Sequence, residues 1–594
     1  MKRDAKGAAM TMPHPFTAGG DTMAKKDGKT GMDRREFMKG AALAGAGALS
    51  LSAIEAAEAM TQTAIPQKWT VEADVIIVGF GGAGACAAIE AHDAGAKVLI
   101  LEKQKERTHY PNTRMSGGIF HSPDPTGDRT ALKEYAKAMF SGENLPWKLE
   151  GEEPEVSDGL ADAWAEYSPK NLEFMKRMDP EFTAAARGSA AFPNFPGAKE
   201  SKYASVRSTY TGKMTYEYPT KDLPKDQKMA GEAFFACLKN GVAARKIKIM
   251  YETPAQSLVL GKGREIIGVI AQNGTSEISC KAKRAVILTS GGYEYNKAMR
   301  KAFLEGPGAE GWAFYGSPDN TGDGIEMGMA VGAGLMKAGK AAARIITAVP
   351  IRHHGLKMGV ITDSVGSPNS IVVDSYGDRY AAESLITDDP SRYFFYKEAL
   401  KFDIIKLLYP RIPSWMIFDE TMRAKTTVTY LAISTVGYGF VPWTKDNMDA
   451  INRGWILKGD TLEELAAKIK AFAENRKLMD AQRLSTTVAR FNEFCKKGKD
   501  DDFARKESSL APIDKPPYYA LPLYPGGPNT KGGLAANAKR EVLDWKLNPI
   551  PRLYTAGEIS SALKFVYQGG GNLTECIVFG RIAGKNAAAL KPWK

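Results

Sequence analysis

Three glycines and an acid have types and spacing that could hold a dinucleotide. Gly79-Phe80-Gly81-Gly82-Ala83-Gly84 reads G-x-G-x-x-G. In this pattern the first glycine makes a tight turn, the second lets backbone approach a pyrophosphate, and the third lets a helix pack on a strand. Gly82 and Ala83 open the helix, whose unpaired N–H groups and positive dipole end suit phosphate. Glu102 follows about 20 residues later, where a carboxylate takes the ribose hydroxyls, and Lys103 beside it is a further candidate contact.

The elements needed to position these residues are present in order. Ala73–Val78 is apolar and β-branched and predicts a buried strand. Ala85–Ala94 predicts an Ala-rich helix, Gly95 closes it, and Lys97–Leu101 predicts a second strand, which completes a βαβ unit. Strand patterns recur at Lys246–Met250, Ser257–Leu260, Ile266–Ala271 and Lys283–Thr289. Ile371–Tyr380 predicts a hairpin, and Thr461–Asn475 an amphipathic helix with Thr461 as N-cap. The 594 residues, 44% apolar and 25% charged, suit a globular chain of several domains. The net charge of +12 is dispersed, which argues against a nucleic-acid partner. Five scattered cysteines form no C-x-x-C pair and no C-x-x-C-H, so neither a metal site nor an attached c-type haem is expected.

Further segments carry small residues, hydroxyls and acids next to predicted helix starts. They are Asn112-Thr113-Arg114-Met115-Ser116-Gly117-Gly118, Ala285–Gly292 ending in Gly291-Gly292, Asn320-Thr321-Gly322-Asp323, Tyr554-Thr555-Ala556-Gly557-Glu558, and Tyr567-Gln568-Gly569-Gly570-Gly571-Asn572-Leu573. Together with the first glycine motif, and in this order, they resemble the flavoprotein superfamily of fumarate reductases and 3-ketosteroid dehydrogenases over about residues 73–590. The resemblance implies an α/β fold: a Rossmann-like FAD-binding domain with a parallel sheet (70–338 and 521–594), and an inserted α+β capping and substrate domain (339–520). It implies non-covalent FAD, with Thr113, Ser116, Gly117, Gly118, Gly291, Gly292, Asn320, Asp323, Gly557, Glu558, Asn572 and Leu573 added to the cofactor contacts.

The same resemblance implies hydride transfer between flavin N5 and a carbon next to an activated carbonyl. Fumarate reductases clamp a dicarboxylate with arginine and histidine. Here Gln568 stands where such an arginine precedes the glycine turn, Thr387-Asp388-Asp389 lacks the arginine of a T-R-D stretch, and Thr530-Lys531-Gly532-Gly533 lacks a histidine. Thr530-Lys531-Gly532-Gly533-Leu534 and Tyr567-Gln568-Gly569-Gly570-Gly571 resemble the ketosteroid branch instead. That branch implies Tyr567 and the Gly571 N–H as two donors to a substrate ketone. The proton-transfer base has no motif, and Tyr393, Tyr438 and the pair His353/His354 are candidates. A ketone or enone substrate is expected. The alternatives are an unsaturated carboxylate reduced with electrons from a cytochrome, and a non-catalytic FAD-binding electron-transfer subunit.

The first 59 residues read as a leader. Asp33-Arg34-Arg35-Glu36-Phe37-Met38-Lys39 has the twin-arginine pattern, a weakly apolar run Ala41–Ile54 follows, and Ala57-Glu58-Ala59 suits cleavage. The run is shorter than the roughly 20 residues a bilayer span needs. The expectation is twin-arginine export to the periplasm, a mature chain with no transmembrane segment, a small-molecule substrate, and a periplasmic c-type cytochrome or quinone-linked electron partner.

Overall fold

The first strand, β1 (Val71–Val78), is buried without a break from Val75 to Val78, as a central parallel strand flanked on both faces must be. A computed structural model describes residues 65–142, 154–189, 192–207, 209–210, 212, 230–387, 393, 395–431, 433–563 and 565–593. The expected leader, residues 1–59, lies outside the described residues, as do Asp388 and Asp389.

Along the chain β1 is followed by α1 (Gly82–Asp93), β2 (Val98–Leu101), β3 (Lys248–Met250) and β4 (Ser276–Leu288). Then come β5 (Arg344–His353), β6 (Leu356–Val360), β7 (Ser370–Val373), β8 (Ser414–Asp419) and β9 (Tyr518–Gly527). β10 (Thr530–Leu534), β11 (Pro549–Thr555) and α2 (Gly571–Ala589) complete the site-bearing elements. The first sheet is eight-stranded and mixed; five of its strands run in the order β11-β4-β1-β2-β3, and their four pairings are parallel. Parallel neighbours need crossovers, and α1 is the crossover from β1 to β2.

Helices α1 and α2, drawn from opposite ends of the chain, pack on each other. Glycine permits the approach. A Cβ on Gly580 would lie 2.7 Å from the Ala83 carbonyl oxygen, and one on Gly584 would lie 2.2 Å from that of Ala87. Gly84 does the same between α1 and β1, where an added Cβ would sit 2.1 Å from the Gly79 carbonyl oxygen. That is the packing role the motif gives this position.

A second, mainly antiparallel sheet runs β6-β5-β9-β8-β7, with Ala313–Phe314 at its edge. It reaches past the expected domain boundaries on both sides, because Ala313–Phe314 precedes residue 339 and β9 continues to Gly527. The predicted hairpin at 371–380 is not a paired strand couple. β7 pairs with β8 instead, and only a single Val373–Arg379 bridge closes the turn. The Asp374 carboxylate accepts from the N–H groups of Tyr376, Gly377 and Asp378, which coils the chain too tightly for a second strand. Thr461 caps its helix as predicted, accepting from Glu464 N at 3.1 Å, but the helix stops at Ala471.

A buried ionic cluster pins this sheet to the segment behind it. The Glu383 carboxylate takes Arg379 at 2.7 Å and Arg505 at 3.3 Å, and Arg379 also meets Asp500 at 2.8 Å. Removing Glu383 would leave two buried guanidinium groups short of a counter-charge. Glu383→Ala is expected to destabilise the protein by about 3–5 kcal/mol, read by chemical denaturation. An unchanged midpoint would show that Asp500 alone neutralises the cluster.

Candidate functional site

β1 delivers its C-terminal end and the glycine turn to the mouth of a long cavity. Its first part is lined by Gly79, Gly81, Gly82, Ala83, Glu102, Lys103, Thr113, Gly291, Asn320, Asp323 and Glu558, all expected cofactor residues. The N-cap of α1 is Gly81, which has no side chain to cap the helix, so N–H groups of the first turn beyond that of Gly82 are left for an anion. Thr113 Oγ1 takes the Gly82 N–H at 3.0 Å. The Glu102 carboxylate is fixed at the end of β2 by the N–H groups of Phe80 and Gln104, each at 2.7 Å. Burial would raise the pKa of this carboxyl, but His109 beside it and the two N–H groups outweigh burial and hold it below the usual range. Lys103 donates to Thr321 at 2.7 Å and to Asp323 at 2.8 Å, so these two expected contacts brace each other. An uncapped helix start, close glycine backbone and a fixed carboxylate fit the phosphate and ribose groups of a dinucleotide.

The second part of the cavity shares Asn112, Thr113, Glu558 and Cys576 with the first. It encloses about 1240 Å³ of empty space, part of it open to solvent. Ser116, Gly117, Asn572, Leu573, Tyr393 and Tyr567 line it, so the glycine turn before α2 and the segment after Asn112 meet there. Gly118, Gly292 and Gly557 stand behind the lining rather than in it, with no room for a side chain. An added Cβ would come within 2.7 Å of Ala230 at Gly118, 2.2 Å of Glu558 at Gly292 and 2.8 Å of Ala83 at Gly557.

Three expected catalytic residues are placed elsewhere. Tyr438 is fully buried, and its hydroxyl donates to the Arg114 carbonyl. His353 ends β5, edge-on to Tyr295 and Phe440, and lines neither part of the cavity. Its neighbour His354 sits in the β5–β6 turn at φ 50°. The Gly571 N–H donates to the Gln568 carbonyl at 2.9 Å, so it is already committed within the turn, and Gly571 itself does not line the cavity. Gln568 is buried and accepts from the Tyr135 hydroxyl. The side chain at the position of the absent arginine therefore turns into the core.

Tyr393 and Tyr567 are brought together, ring centroids 4.8 Å apart and perpendicular. Over the Tyr393 ring, 5.2 Å from its centre, lies Arg344, a residue no motif singles out. Arg344 opens β5, and its register opposite Gly526 of β9 aims it at the cavity. Its side chain is 19% exposed. Nη1 donates to Asp363 at 3.0 Å, while Nε is buried with no protein partner. Burial alone would lower its pKa, but the facing Tyr393, Tyr315, Asp363 and Tyr567 raise it, so the guanidinium stays charged. The buried Lys531 is spent elsewhere, on Ser561 at 3.0 Å and Glu575 at 2.9 Å.

A family model described as FAD binding domain matches residues 74–573. The chain is 28% identical to digoxin reductase of Eggerthella lenta, over 95% of this chain and 98% of that protein. It is 26% identical to NADH:fumarate oxidoreductase of Klebsiella pneumoniae over 87% of this chain, but spans only 47% of that protein's length. In fold it is similar to 3-ketosteroid delta1-dehydrogenase from Sterolibacterium denitrificans, with a TM-score of 0.70, 24% identity, and 88% of this chain and 100% of that one covered.

At the junction of the two cavity parts, Asn112 Nδ2 donates to Glu558 at 2.9 Å and to Glu294 at 3.2 Å. Burial first, and then the charge of Glu294, push the Glu558 carboxyl well above its ordinary value. Such a group binds its proton more tightly folded than unfolded. Stability therefore falls as pH rises above the ordinary carboxylate range, by up to about 1.4 kcal/mol per pH unit. Glu558→Gln should flatten that fall between about pH 5 and 8, read by urea unfolding of the apoprotein at several pH values. An unchanged slope would mean that Glu558 is ionised in the fold.

Proposed function

Because the chain belongs to the FAD binding domain family, with FAD as its cofactor, we propose that it is an FAD-dependent oxidoreductase acting on a carbon–carbon bond conjugated to a carboxylate, in an unsaturated acid with an apolar or aromatic body. When bound, the flavin supplies the centre that exchanges hydride with one of the two carbons. Everything else is done by the chain. Arg344 carries the reading, because a charged guanidinium lining this cavity, with Nε lacking a protein partner, is the kind of group that binds a carboxylate. Tyr393 and Tyr567 stand beside it and can hold or release the proton of the neighbouring carbon. Met115, Ile119, Ile361, Ile433 and Leu573 line the rest and exclude water from it. Among the described residues, the cations that line it for a dicarboxylate are Arg344 and the exposed Arg187.

A ketone or enone is the second reading, favoured by the Tyr567 phenol in the cavity. Its expected second donor, the Gly571 N–H, is committed to Gln568. A non-catalytic carrier would have no use for a charged, half-unpaired arginine beside two phenols. The twin-arginine pattern of the leader supports export to the periplasm, with electrons exchanged there with a c-type cytochrome or a quinone-linked partner.

The test is anaerobic mixing of reduced holoenzyme with an aryl acrylate and, separately, with a cyclic enone, following flavin reoxidation. The acrylate should reoxidise the flavin, and Arg344→Met should weaken that response by about 10- to 100-fold, mainly through KM. Reoxidation by the enone alone, lost in Tyr567→Phe and kept in Arg344→Met, would replace this reading with the ketone one.

A further inference from the structure

The hairpin at residues 402–409, between Tyr396–Ala399 and β8, carries apolar side chains outward. Ile404 is 80% exposed, Ile405 88% and Leu407 73%, with Phe402 at 44% below them. The shape is built rather than loose. Asp403 and Leu408 form an antiparallel bridge, and the Asp403 carboxylate accepts from the N–H groups of Ile405 and Lys406 at 2.9 Å each. Phe402 and Tyr409 pack ring to ring at 4.9 Å, and Arg476 ties the Tyr409 and Ile412 carbonyls from the side. Leu407 has φ 53°, in the left-handed region where glycine or asparagine is favoured. Water and backbone both disfavour an isoleucine pair and a leucine at this tip, so the tip is matched to a different surrounding phase.

The base of the hairpin says which phase. Lys401, Lys406, Arg476 and Lys477 are exposed around it. Lys406 lies 3.9 Å over the Tyr376 ring, and Lys401 shares the Glu398 carboxylate with Arg411. The nearby acids Glu398, Asp403, Glu474 and Asp378 are occupied by Lys401 and Arg411, by the turn, by Lys357 and by Arg483. An aliphatic tip above a cationic collar has the chemistry of a wedge that enters the acyl region while lysine and arginine meet anionic headgroups. We propose that this hairpin docks the protein on an anionic bilayer surface. No helix among the described residues is long and apolar enough to cross a membrane, so the contact is peripheral.

The test uses FAD-loaded protein lacking residues 1–59, since residues 62–594 form a compact unit of their own. Vesicles of equal parts phosphatidylglycerol and phosphatidylcholine are compared with phosphatidylcholine alone. A nitroxide at Ile405→Cys should move into the bilayer on the anionic vesicles, and added salt should weaken binding. Combined Ile404→Ser, Ile405→Ser and Leu407→Ser should keep the flavin spectrum and lose at least ~10-fold in vesicle affinity. A nitroxide that stays in water, or a triple variant that binds like the parent, overturns the proposal. So does a lipid-free dimer abolished by the triple variant, which would assign the hairpin to a second copy of the chain.

Discussion

The approach of α1 to α2 is the constraint on which the cavity depends. Ala83 and Ala87 meet Gly580 and Gly584 closely enough that the backbones themselves are in contact. Side chains larger than hydrogen at those two glycines would push α2 outward. The turn from Tyr567 to Asn572 leads into α2, and its displacement would part Tyr567 from Tyr393 and open the cavity beside Glu558. A contact some distance from the reacting groups thus sets their spacing, because helices transmit a shift at one end to the other.

Local elements were legible in the sequence and long-range ones were not. The βαβ unit is spelled out within about 30 residues by periodicity and glycine, and its strands and helix lie where the pattern put them. Thr461 announced its helix by the same local logic. Arg344 follows three alanines and carries no motif. It reaches the cavity because β5 pairs with β9, about 180 residues further along. Tyr438 and Gly571 show the converse: each had a plausible type and neighbourhood, but hydrogen bonds to Arg114 and Gln568 consume the group that chemistry would need. The turn after β7 was misread because the three bonds to Asp374 cannot be told from a hairpin turn by residue type alone.

Buried charge is met in part by carboxylates and in part, at Arg300 and Arg540, by carbonyl and hydroxyl oxygens alone. Lys531 meets Glu575, Arg379 and Arg505 meet Glu383, and Arg114 meets Glu232. Each pair repays part of the desolvation cost of its members. Arg344 lines the cavity, with Nη1 on Asp363 and a buried Nε that has no protein partner. What sets Arg344 apart is its place: a charged guanidinium on the cavity wall, with one nitrogen lacking a protein partner, suits an anionic group there.

The inward turn of Gln568 has an evolutionary consequence. An arginine introduced at that position would not emerge into the cavity. It would enter the space beside Tyr135, where a neutral amide is now accommodated with its Nε2 already unpartnered. An arginine there would therefore require the surroundings of Tyr135 to repack around a buried cation. Such a substitution would carry a packing cost that selection would have to offset.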